Sequence, residues 1–152
     1  MELTPAITAA AGFLIAVLWF DLMFDVQTLR HRRAAVLPEG VLASIAAYYH
    51  RVTTTASPMG RLVALVMLVL LAGLIAQAVR GDAPVWASAA CLGLTAVAIG
   101  LTAARVLRAA QRLGERTDAI ERQSQLARGI LRDHLFCLGC MVTVLVVQLS
   151  AG

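Results

Sequence analysis

The chain has 152 residues, of which 60% are hydrophobic and 14% charged, and its mean hydropathy is +0.80. So few charges cannot cover a water-facing surface, which excludes a disordered chain, a disulfide-stapled secreted domain and a soluble α/β enzyme. All 13 basic residues are arginine, and against 9 acids they leave a net charge of +4. The arginines border apolar runs, a pattern that points to anionic lipid headgroups and membrane orientation and away from nucleic acid.

Crossing a hydrocarbon core of about 30 Å takes roughly 20 apolar helical residues. Four segments qualify, at about 5–24, 62–79, 84–104 and 135–150. The first has Met1-Glu2 before it and Arg30, Arg32 and Arg33 after it, the reverse of a secretory signal, so it is expected to remain as a helix. The expected fold is an all-α polytopic membrane protein, one antiparallel bundle of four transmembrane helices within 1–152.

The long connections have structure of their own. After Pro38, residues Val41, Leu42, Ile45, Ala46, Tyr49 and Val52 recur at helical spacing, predicting an interfacial helix over about 38–54. Ser57-Pro58 reads as an N-cap and first-turn proline for the second span. In the connection over about 105–133, Arg105, Arg108, Arg112 and Arg116 step by three or four and share one helix face, which Gly114 is expected to loosen. Asp118 and Glu121 have capping-box spacing, so a last helix is expected to begin near residue 119 and continue through the membrane. Twelve arginines lie in or beside the two long connections and one, Arg80, in the short turn between the middle spans. The positive-inside bias therefore puts the connections in the cytoplasm and both termini outside.

Ionisable groups inside an apolar segment cost about 2.5–3.5 kcal/mol at the bilayer centre and need a reason. Asp21 and Asp25 are four apart on one helix face, about one turn from the hydrophobic boundary. They form an ion pair with Arg51, Arg61, Arg105 or Arg132, or else a proton-handling dyad or a metal site. His50, Asp133 and His134 are expected at the same depth, so Asp21, Asp25, His50, Asp133 and His134 are a candidate polar cluster. Asp21, Asp25, His50, His134 and Cys137 are the residue types a metal would use. Cys140 lies about 9 Å along the helix from His134, too far to share an ion with it. Cys91, Cys137 and Cys140 read first as small core residues. Within the spans, Gln77, Thr95, Thr102, Thr143 and Gln148 read as interhelical hydrogen-bonding groups, and Gly93 and Gly100 as close-packing points.

The stretches LWFDLMFDVQ (18–27), YYHRVTTT (48–55) and ARGILRDHLFC (127–137) resemble those of an uncharacterised group of small bacterial four-helix integral membrane proteins. In layout the chain is more distantly similar to the anthrone-oxygenase-like family: one span, a long connection with a short helix, a tight hairpin, a basic connection and a last span. The resemblance implies a fold and an inner-membrane location; no cofactor and no site residue carries over from it. Three function classes follow. The first is a structural or accessory subunit, in contact with a membrane-protein partner or with copies of itself. The second is a metal-assisted oxidative enzyme acting on a lipid-soluble substrate. The third is a small oligomeric transporter.

Overall fold

The computed structural model describes residues 3–151. Its elements are α1 (Thr4–Asp25), a 3₁₀ turn (Val26–His31), α2 (Glu39–Thr53), α3 (Ser57–Arg80), α4 (Val85–Leu101), a π turn (Thr102–Val106), α5 (Leu107–Glu115) and α6 (Ile120–Ala151). Four helices are long and apolar enough to cross a membrane, and among the described residues there is no β-strand. Helices are what hydrocarbon demands, because each satisfies its own backbone donors and acceptors. The protein is therefore an all-α polytopic membrane protein with four long apolar helices and a short interfacial helix.

Local chemistry sets the helix ends. Proline stands in the first turn of α1 and of α3, where a missing N–H costs nothing. Ala56, not Ser57, occupies the N-cap position of α3, and the side chain of Ser57 lies outside the described residues. Gly81 closes α3 at φ 70°, and the amides of Gly81 and Asp82 return to the carbonyls of Ala78 and Gln77. Arg116 stops α5 at φ 54°, the left-handed region that a side chain rarely enters, and its guanidinium is tied to Glu39 at 2.8 Å. The carboxylate of Asp118 does not cap α6: it accepts two bonds from Arg112 across the α5–α6 turn.

In the spanning layer α1 and α4 each pack between α3 and α6. Their core includes Ile7, Ala11, Leu14, Leu70, Leu74, Cys91, Met141 and Val144. At 32 residues α6 is about 48 Å long, well beyond the hydrocarbon, and α5 likewise extends the third span. These two protruding ends and α2 build a second core from Leu42, Ile45, Tyr49, Leu113, Ala127 and Ile130. The loop before α2 is pinned to it by Leu37, whose amide donates to Ser124 Oγ, and by Arg128, which donates to the carbonyls of His31, Ala34 and Ala35.

Two glycine readings change. A Cβ on Gly93 or Gly100 would meet nothing, so neither is a close-packing point. On Gly114 it would stand 2.9 Å from the backbone nitrogen of His50, so Gly114 does not loosen α5 but lets it lie directly on α2.

Candidate functional site

Asp21 and Asp25 face the bundle from the last two turns of α1, and Tyr48 and Tyr49 meet them from the last two turns of α2. Each acid has its own phenol. Tyr48 donates to Asp21 Oδ1 at 2.6 Å, and Tyr49 donates to Asp25 Oδ1 at 2.7 Å. From α6, His134 Nδ1 lies 2.7 Å from Asp25 Oδ2, while its Nε2 is 3.9 Å from Asp21 Oδ2. With Asp25 ionised, the short contact puts a proton on Nδ1, and the ring directs Nε2 toward Asp21. Phe24 stacks on the ring of Tyr48 at 4.1 Å and holds it in place.

Asp25 is fully buried and His134 nearly so, and the row Tyr49–Asp25–His134 gives each of them a hydrogen-bond partner there. Burial and the two carboxylates push the Tyr48 and Tyr49 hydroxyls above the ordinary phenol range, and both remain donors.

The expected cluster of five divides. Asp21, Asp25 and His134 come together. Asp133 points to the other side of α6 and pairs with Arg105 at 3.3 Å and Arg132 at 3.6 Å. His50 is exposed on the far face of α2, one residue past Tyr49. Of the four arginines expected to neutralise Asp21 and Asp25, none does so: Arg105 and Arg132 serve Asp133, and Arg51 and Arg61 are exposed. The phenols that take their place carry no charge, and although Tyr49 belongs to the periodic apolar face of α2, that pattern marks it as a core residue and not as a partner for an acid. The pairing of Tyr48-Tyr49 with acids four apart was the clue available.

Among the described residues no group of three or more His, Cys, Asp or Glu side chains stands so that it could hold a metal ion. The candidate metal residues do not come together as one set. His50 is exposed, Cys137 bonds weakly toward the Ala98 carbonyl at 3.9 Å, and Tyr48 and Tyr49 each occupy one oxygen of Asp21 and Asp25.

Above Asp21 and His134 lies a cavity of about 80 Å³ between the four spans, walled by Leu14, Leu18, Met67 and Met141. Thr95 lines it, fully buried, and among the described residues its Oγ1 has no hydrogen-bond partner. Thr102 and Thr143 bond to carbonyls of their own helices, so the interhelical bridge is left to the glutamines. Gln77 and Gln148 exchange two amide bonds, at 3.1 and 3.0 Å, and join α3 to α6 at the opposite end of the bundle.

Fold and site together define a small helical multi-pass membrane protein whose buried acids, Asp25 and Asp133, are paired with its own side chains. The chain belongs to the family whose model is named SHR3_chaperone and described as ER membrane protein SH3, which matches residues 3–151. The match supports the membrane class and not the likeness to anthrone-oxygenase-like proteins. No curated protein and no solved structure matches the chain.

Proposed function

We propose that this is an accessory protein of the membrane, acting as a chaperone or stabilising subunit for another membrane protein. The observation that carries this reading is the hydrogen-bonded lock between three helices. Asp25 accepts from Tyr49 and pairs with His134, and Asp21 accepts from Tyr48, so the polar groups tie α1, α2 and α6 together, and among the described residues no three-ligand metal group stands. The family model, whose name includes the word chaperone, supports the same reading over almost the whole chain. The arginine-rich end is placed in the cytoplasm against anionic headgroups, with both termini on the other face of an inner membrane, by the positive-inside bias.

The test is quantitative membrane proteomics on cells lacking the chain and on the same cells with it restored. The expected result is a small set of polytopic membrane proteins that fall severalfold without it and recover with it. An unchanged membrane proteome would overturn the reading. A thiol introduced at Thr4 should react only from outside intact cells, and one at Arg33 only after permeabilisation; the opposite pattern would reverse the orientation.

A second reading, a site for a small lipid-soluble molecule, is favoured by the apolar cavity that ends on Asp21, His134 and the unpartnered Thr95 Oγ1. It requires a compound extracted with the wild-type chain and absent from Thr95→Leu, in which the cavity is filled.

A further inference from the structure

On the side of α6 away from Asp25, a cavity of about 310 Å³ opens between α5 and the first half of α6, within the lower range of ligand sites, roughly 300–1,000 Å³. Five arginines line it: Arg105, Arg108 and Arg112 from one wall, Arg122 and Arg132 from the other. The acids that pair with them are Asp133, shared by Arg105 and Arg132, and Asp118, held by Arg112, and Glu115 also acts on Arg112 without pairing with it. Five arginines against these three acids leave two positive charges. Among the described residues Arg108 and Arg122 make no ion pair at all.

Five guanidinium groups converging on one hollow repel one another. The fold nevertheless brings them together from two helices, and an anion with several acceptor oxygens would relieve that repulsion. Gly129 lines the cavity, and a Cβ there would meet no atom within 4 Å, so a larger side chain at this position has room to occupy it.

The position of the cavity indicates the source of the anion. Arg105 and Arg132 stand where the apolar runs of the third and fourth long helices meet the charged extensions, the level of phospholipid headgroups. Leu107, Leu135 and Phe136 are about half exposed on this border and offer an apolar track for acyl chains. We propose that this cavity is a binding site for the phosphate headgroup of an anionic phospholipid. The inference rests on the headgroup-facing arginine-rich end proposed above and adds that one pocket, rather than the basic surface at large, selects the lipid.

Native mass spectrometry of the delipidated full chain in detergent tests this with three probes: cardiolipin, phosphatidylcholine and inorganic phosphate. The expected result is one cardiolipin per chain, no retained phosphatidylcholine, and no displacement of cardiolipin by millimolar phosphate. The variant Gly129→Leu keeps every arginine and fills the pocket, and it should weaken cardiolipin at least tenfold, as should the pair Arg108→Gln and Arg122→Gln. The triple change of Arg30, Arg32 and Arg33 to Gln removes three charges elsewhere, one more than the pair, and should leave the single site intact. Wild-type affinity in Gly129→Leu would overturn the pocket. Displacement by inorganic phosphate would replace the lipid with a soluble anion. Equal weakening in the triple variant would leave only the general surface attraction, and no cardiolipin bound to any form would remove that reading as well.

Discussion

Tyr49 is the residue on which the buried acids most depend. Removing its hydroxyl leaves one oxygen of fully buried Asp25 unpartnered, and hydrogen bonds to charged groups contribute about 1.5–3 kcal/mol. Tyr49→Phe should therefore destabilise the protein by about 2 kcal/mol. Tyr48→Phe should cost less, near 1 kcal/mol, because the Tyr48–Asp21 pair is only partly buried. Thermal unfolding of both variants in detergent checks the order. The same phenols give an alkaline limit. Their folded values are raised, so the unfolded chain loses these protons first as pH climbs past about 10. Their contribution is thus complete below that pH and declines above it. Chemical denaturation between pH 8 and 11.5 should show stability falling in the upper half of the range, with a shallower fall in Tyr48→Phe/Tyr49→Phe.

At the scale of elements, the junction of α2 with α5 determines whether the second core forms. Gly114→Ala places a methyl 2.9–3.0 Å from the His50 backbone, which cannot swing aside as a side chain could. The helices must separate, and overpacking of this kind costs about 1–3 kcal/mol. Gly129→Ala, whose new methyl meets open space, should be neutral or slightly stabilising through helix propensity. Comparing the two by thermal unfolding separates contact from propensity; equal behaviour would refute the close approach. The helices themselves were legible in the sequence because each has a periodic or purely apolar signature. The interfacial helix was visible through Leu42, Ile45, Ala46 and Tyr49, all of which are buried. What covers it was not, since α5 reaches it through a glycine whose role depends on a partner 64 residues earlier in the chain.

For the molecule as a whole, the two ends of the bundle are tied differently. One end has acids, phenols and an imidazole; the other has the neutral Gln77–Gln148 pair, fully enclosed. Gln77→Leu alone should cost about 1–3 kcal/mol by stranding Gln148, whereas Gln77→Leu/Gln148→Leu should recover most of that loss. A double-mutant cycle on thermal stability in detergent measures the difference. Composition and hydropathy by themselves determined the membrane class, the number of long helices and the accumulation of arginine at one end, because hydrocarbon imposes length and polarity on each segment independently of its neighbours. Which polar residues meet was decided only by the tertiary structure. Asp21 and Asp25 could have paired with any of several arginines at similar depth. It is the rotation of α6 that turns His134 toward them and Asp133 away, and the seating of α2 that delivers two tyrosines in place of a cation. Rotation about a helix axis depends on packing against the other helices, and no single segment encodes it.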